Sequence, residues 1–326
     1  MDLVEHRWPN PKVAIANPFP QFGYAFLRKY AFRAKWEASS MHVLSLINQD
    51  VFRRINQRVF RRIDAISRSV KRRRRHPKFD GFTKGAEIRT AICQPAKCPI
   101  GQDIERLRLE LSKDKRLLSD IGHSELGLNL SELGLYDEGQ TVADCVSISR
   151  SNKDGDFLYN LVASLRPRTC LELGTNIGIS SAYLSAGIRD AGGGGNLLTL
   201  EASPVRASIA QKLHAGLKLP DLQCRMGLFS DTLSGSLKLL GSTEFAFIDG
   251  HHQYEATLNY WNLIAPFCPP GALVVFDDTR WSEGMIRAWR ELQLDKRFCG
   301  VVDLGWMGVC VVGEGPGSRV DASELY

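Results

Sequence analysis

The 326-residue sequence predicts a doubly wound α/β fold, a mostly parallel seven-stranded sheet that ends in an antiparallel hairpin. Three observations predict it. From Asp156 onward, short apolar runs alternate with amphipathic segments of ten or more residues, the rhythm of βαβ units. The short runs are nearly continuous in apolar residues, as strands covered on both faces must be. The last two runs are joined by only a few residues around Trp306. That is too short for a crossover, so they pair antiparallel.

The strands are expected at TCLELG (169–174), NLLTLEA (196–202), LQCRMG (222–227), EFAFIDG (244–250) and ALVVFDD (272–278), then FCGVVDLG and MGVCVVG. Helices are expected between them at roughly 179–188, 204–217, 231–240, 253–266 and 283–293. A helix over DFLYNLVASLR leads into the first strand, and another is expected at Ile104–Leu118. Gly192–Gly195 precede a strand and read as a flexible turn.

The N-terminal third differs in kind. Residues 1–100 carry 21 Lys and Arg against 7 Asp and Glu, whereas the remainder carries 21 against 29. Between Met41 and Val70, apolar residues recur every three or four positions with arginines between them, and KRRRR (71–75) follows. Such a helix has three uses: docking or dimerisation, contact with an anionic membrane surface, or phosphate contacts to RNA. Prolines and glycines at 77–99 read as a linker over 76–100. The expected organisation is a basic extension (1–100), a helical cap (101–155), a core domain (156–315) and a flexible tail (316–326).

At 44% hydrophobic, the chain holds enough apolar residues for a sizeable core. No apolar run is long enough to span a bilayer, and the first thirty residues lack a secretory apolar stretch. The eight cysteines show no zinc-like spacing and read as reduced thiols. The expected location is the cytoplasm, with peripheral membrane contact through residues 41–75 as a variant.

The chemistry concentrates at strand ends. The first strand runs into Cys170-Leu-Glu172-Leu-Gly174-Thr175-Asn176-Ile177-Gly178-Ile179-Ser180-Ser181, a glycine-containing turn that opens a helix. Open α/β sheets bind ligands there. A dinucleotide fingerprint needs glycine where Asn176 stands, and Glu172 disfavours a pyrophosphate. S-adenosylmethionine (SAM) has no phosphate, and its ammonium and carboxylate suit an acidic residue and free helix-start amides. Glu201 ends the second strand, where a carboxylate accepts both ribose hydroxyls. An ordinary strand–helix turn remains the alternative for each feature alone.

With ExGxxxGxS, TLEAS, FIDGHHQYEATLNYW and GALVVFDDTRWSEGM in this order, residues 150–315 resemble the class I SAM-dependent methyltransferases. They look most like the small bacterial O-methyltransferases related to the catechol and sugar enzymes. The resemblance does not extend to residues 1–100. It implies a Rossmann-like fold with Gly174, Thr175, Asn176, Gly178 and Ser180 along the methionine part of SAM. Glu201 then holds the ribose, and Ala202 with Gly227–Phe229 flanks the adenine. Asp249 also belongs to the implied cofactor contacts.

Asp249, Asp277 and Asp278 end the fourth and fifth strands. Three converging carboxylates repel unless a cation or protons intervene, and hard oxygen ligands suit Mg²⁺ or another divalent cation. The metal-dependent relatives resemble this arrangement at Asp249 and Asp277, while Asp278 departs from the catechol type. The alternative is that Asp249 touches SAM and the other two cap a helix, with no metal. His251 and His252 follow at once, and either is a candidate base for a hydroxyl proton. Tyr254 and Trp281 shape the acceptor pocket or serve packing. The expected reaction is O-methylation of a small hydroxylated acceptor, sugar or catechol-like, with metal and a histidine base. A metal-independent methyltransferase, or a membrane- or RNA-associated protein with a SAM-binding module, are the competing expectations. A homodimer is a further expectation.

Overall fold

A computed structural model of the chain describes residues 79, 83–93, 95–126, 139–220, 222–314 and 317–325. The helix expected at 41–70, and with it the membrane, RNA and docking readings, lies outside the described residues.

The seven expected strands are present: β1 (Thr169–Leu173), β2 (Asn196–Glu201), β3 (Gln223–Met226), β4 (Phe245–Ile248), β5 (Leu273–Phe276), β6 (Phe298–Asp303) and β7 (Gly308–Val312). An eighth, β8 (Ser318–Asp321), joins them. The order across the sheet is β3-β2-β1-β4-β5-β7-β6-β8. The first five strands run parallel, and β7 is antiparallel to β5 and β6. The central strands β4 and β5 are buried along their whole length, which explains their uninterrupted apolar sequence. The flexible tail expected at 316–326 is therefore corrected over 318–321: this segment pairs parallel with β6 from Gly300↔Ser318 to Asp303↔Asp321. Val320 is buried, but a single apolar residue among Ser, Arg and Asp leaves no legible period.

The helices are α1 (Gly85–Cys93), α2 (Gly101–Leu111), α3 (Leu118–Leu126), α4 (Val142–Ile148), α5 (Asn152–Leu165), α6 (Ile179–Asp190), α7 (Pro204–Gly216), α8 (Phe229–Leu240), α9 (Tyr254–Ile264) and α10 (Glu283–Leu292); α5 to α10 occupy the expected intervals, and α1, α3 and α4 were not expected. The helix expected at 104–118 is α2, which stops at Leu111, and α3 starts only at Leu118. The helix geometry ends at Leu111, and the chain turns through Lys113 and Asp114, whose amides bond to Glu110 and Leu111 carbonyls. Capping boxes start α4 at Thr141/Asp144 and α5 at Ser151/Asp154.

The linker expected at 76–100 is corrected as well. Ile88, Ala91 and Ile92 of α1 are buried in one core with Phe157, Leu158 and Leu161 of α5. Ala96 exchanges two hydrogen bonds with the Asn160 side chain (3.0 and 2.6 Å), and the Cys98 amide donates to Asp156 Oδ1 at 2.9 Å. Proline and glycine here shape a strap along α5. On the opposite sheet face, Trp261, Phe276, Phe298 and Trp289 pack together, with Trp261 stacked on Phe298 at 4.5 Å. These two layers hold the strand ends that carry the site.

Candidate active site

The turn after β1 is anchored on both sides. Gly174 and Thr175 amides donate to the Leu200 carbonyl of β2 (3.0 and 3.2 Å), and the Asp249 amide donates to the Leu173 carbonyl at 2.9 Å. Gly174 has φ +98°, and a Cβ there would lie 2.2 Å from the Asp249 carbonyl oxygen. Gly178 has φ +86°, and its Cβ would meet Ala210 of α7 at 2.8 Å. Both positions need glycine, for backbone conformation and for close approach. Gly178 is the N-cap of α6 and offers no side chain to its first turn. The amides at that helix start suit an anionic group.

Glu201 orders the turn. Its Oε2 accepts the Asn176 amide at 2.8 Å and its Oε1 accepts the Ser203 amide at 2.9 Å. Asn176 takes a left-handed φ of 48°, and its side-chain Nδ2 donates to the Cys145 carbonyl at 3.0 Å. Its Oδ1 is buried without a hydrogen-bond partner. An orphaned acceptor beside uncapped helix amides is what a polar ligand would complete. Thr175 turns inward, with its hydroxyl 2.5 Å from that of Thr199. Glu172 is fully buried, its Oε2 accepts from the Ser181 hydroxyl, and its Oε1 has no hydrogen-bond partner. Burial pushes its carboxyl above the usual range. The geometry thus gives Thr175 and Glu172 buried places behind the turn, with the Glu172 carboxyl against α6. Ser180 and Ala202 are half-buried at the turn and at the end of β2. Gly227, φ +131°, donates to the Glu201 carbonyl at 3.0 Å. Phe229 begins α8 with its ring edge-on to Tyr260 at 5.4 Å.

The second half of the site lies at the ends of β4 and β5. His252 Nε2 is 3.7 Å from Asp249 Oδ1 and 3.7 Å from Asp278 Oδ2. One ligand atom from each of these residues falls within 4.8 Å of the others. Trp281 lies beside His252, with ring centres 5.9 Å apart. Asp277 is fully buried, and its Oδ1 accepts the Asp278 amide at 2.8 Å. Arg150, from the loop between α4 and α5, donates Nε to Asp277 Oδ2 and Nη2 to Asp278 Oδ1. Both Asp277 oxygens are occupied. Of the expected set Asp249–Asp277–Asp278, Asp249 and Asp278 come together with His252, while the Asp277 oxygens are engaged by Arg150 and the Asp278 amide.

Electrostatics follow from this packing. Burial raises the Asp249 carboxyl well above its ordinary value, and the Asp277 charge adds to it. Burial pushes Asp277 up to about 7, opposed by Arg150 and reinforced by Asp278. Each carboxylate thus disfavours ionisation of the other. Arg150 stays charged, since Asp277, Asp278 and Asp249 outweigh its burial. Burial holds His252 below its ordinary value despite the pull of Asp278, so its imidazole is neutral. His251 has φ 64°, and its Nδ1 meets the Tyr260 hydroxyl at 2.6 Å. It anchors the loop to α9. Tyr254 leaves the site altogether: its hydroxyl donates to Glu291 at 2.6 Å, and the Arg287 guanidinium covers its ring at 4.0 Å.

Residues 171–279, which span this turn and both strand ends, match the family described as a methyltransferase domain. That segment is similar to the methyltransferase-domain family. A catechol O-methyltransferase from Niastella koreensis is 32% identical to the chain over 135 residues, 40% of this chain. The match spans 58% of the length of that curated relative. Among solved structures, an O-methyltransferase from Bacillus cereus in complex with S-adenosylhomocysteine (SAH) aligns with a TM-score of 0.45 at 19% identity, covering 72% of this chain and 100% of the other. The O-methyltransferase TomG from Streptomyces achromogenes, in complex with SAM, aligns at 0.43 and 20%, covering 66% and 96%.

Sequence reasoning missed Arg150, which lies in the cap ahead of the matched segment. Three carboxylates at adjacent strand ends signal that a cation is needed, and the cap's own arginines were a source for it. Among the described residues no helix is long and apolar enough to cross a membrane.

Proposed function

We propose that this protein is a SAM-dependent O-methyltransferase whose small hydroxylated acceptor, sugar or catechol-like, binds at Asp249, His252 and Asp278. The observation that carries the reading is the convergence of these three side chains beside the Gly174 turn, whose backbone packs against Asp249 itself. SAM, when bound, supplies an electrophilic methyl group. The uncapped start of α6 and the Asn176 Oδ1 suit its amino-acid end, and Glu201, with the turn it orders, suits its ribose. The three donors, two oxygens and one imidazole nitrogen, have a chemistry that fits a divalent cation. Such a cation would supply Lewis acidity to the acceptor hydroxyl.

The acceptor hydroxyl must lose its proton as the methyl transfers. The neutral His252 has a lone pair for this, and Asp278 on one side stabilises the imidazolium that results. Holding the acceptor oxygen next to the turn contributes by proximity. The Arg150 ion pairs favour a second reading, in which the carboxylates are partly compensated without metal and His252 acts alone. In the metal reading, Nε2 of His252 serves the cation.

Calorimetric titration with SAM and SAH, with Mg²⁺ and then with EDTA, tests the cofactor. A screen of hydroxyl compounds for methyl transfer follows. Micromolar SAH binding with EDTA-sensitive turnover supports the metal reading, and EDTA-resistant turnover supports His252 alone. No SAH binding by the folded chain removes the proposal.

A further inference from the structure

The cap sends one side chain into the carboxylate end of the sheet. Arg150 lies between α4 and the N-cap of α5, with its carbonyl accepting from Arg108 Nη1 at 2.5 Å. The same segment meets the cofactor turn through the Cys145 carbonyl and Asn176. The guanidinium is mostly buried and donates to both Asp277 and Asp278. It therefore fills one side of the cluster. On the other side Asp249 Oδ1, His252 Nε2 and Asp278 Oδ2 gather.

We propose that Arg150 is a positioning residue that fixes Asp277 and Asp278 and weakens the site's hold on a divalent cation. The inference rests on the acceptor-site reading above. When all are ionised, the three aspartates and Arg150 leave two negative charges, the number a divalent cation neutralises. Without Arg150 they leave three. A buried guanidinium this near repels a cation with little screening. It also keeps its charge at any working pH, so the repulsion is permanent. One aspartate oxygen on each of residues 277 and 278 is withdrawn from ligation by the same contacts.

The test titrates Mn²⁺ alone into the full chain by calorimetry, for the wild type and for Arg150→Lys, Arg150→Met and Arg150→Gln. The Met and Gln variants are expected to bind Mn²⁺ about tenfold more tightly than wild type or better, with Lys within about threefold of wild type. A purely structural Arg150 would not be rescued by Lys in this readout. Equal or weaker Mn²⁺ binding by a folded Met or Gln variant overturns the proposal, and so does the absence of Mn²⁺ binding in all four chains. If the Met variant melts early, the Gln variant, which keeps a hydrogen-bonding amide without charge, carries the comparison. SAH is titrated separately into the wild type. Loss of SAH binding there removes the methyltransferase reading and leaves the Mn²⁺ comparison to decide Arg150.

Discussion

Replacing Gly174 by Ala tests whether the first turn is built against the backbone of β4. The new Cβ would stand 2.2 Å from the Asp249 carbonyl oxygen, where ordinary contact begins at 3.4 Å. The end of β4 must then retreat by about 1.2 Å, or the turn must open by as much. Overpacking of this kind costs about 1–3 kcal/mol. A φ of +98° adds about 1 kcal/mol for any residue with a Cβ. The total, about 2–4 kcal/mol, lowers the melting temperature of a domain this size by about 4–16 °C. Scanning calorimetry reads that directly. The displaced residue also carries the Asp249 carboxylate, so turnover is expected to fall by about a hundredfold even where the fold survives. An alanine variant that melts within about 1 °C of wild type and binds SAH normally would refute the close-approach argument.

Glu201→Gln puts an amide nitrogen opposite a backbone N–H in place of one of two charge-assisted bonds. Such a bond is worth about 1.5–3 kcal/mol, so SAH affinity measured by calorimetry should drop about tenfold or more, and unchanged affinity would remove Glu201 from the turn. Asp277→Ala should abolish turnover and leave SAH binding within a few-fold, because Asp277 lies away from the turn and anchors Arg150; full activity of that variant after chelation would sink the metal reading. Glu172 holds its proton above the ordinary 4.5 in the folded state. The stability this confers is present below 4.5 and is lost as pH rises through the raised value, so Glu172→Gln should flatten that part of the pH–stability curve from chemical denaturation. A curve parallel to wild type would place the pH dependence elsewhere. For residues 41–75, we propose salt-dependent binding to anionic vesicles, lost on deleting the segment; vesicle flotation at two salt concentrations reads it, and binding that ignores salt counts against the idea.

Much of this was legible in the sequence because two-sided burial writes itself as apolar runs. FAFI and LVVF are wholly buried in β4 and β5, and each was visible as a run before an aspartate. The short joint at Trp306 announced the antiparallel β7. The turn glycines were legible for the same physical reason they are needed, since Gly174 and Gly178 both take positive φ. What stayed hidden depended on distant partners. Strand β8 carries too few apolar residues to show a period, and it forms because β6 offers it an edge. Proline and glycine between 76 and 100 masked α1, whose Ile88 and Ile92 find their partners on α5, some seventy residues on. Arg150 looked like one arginine among many, and 127 positions separate it from Asp277. A local signal was nonetheless present: the Ser151–Asp154 capping box begins α5 immediately after Arg150 and places it at a fixed junction.

Strand β8 also decides how the sheet tolerates cutting. Its four residues satisfy the outer side of β6 from Gly300 to Asp303. Removal of everything after residue 315 leaves those amides and carbonyls facing solvent in a row, beside the buried Val301 and Val302. An open edge of that kind is a template for another copy's strand, so the shortened chain is the one expected to self-associate into aggregates.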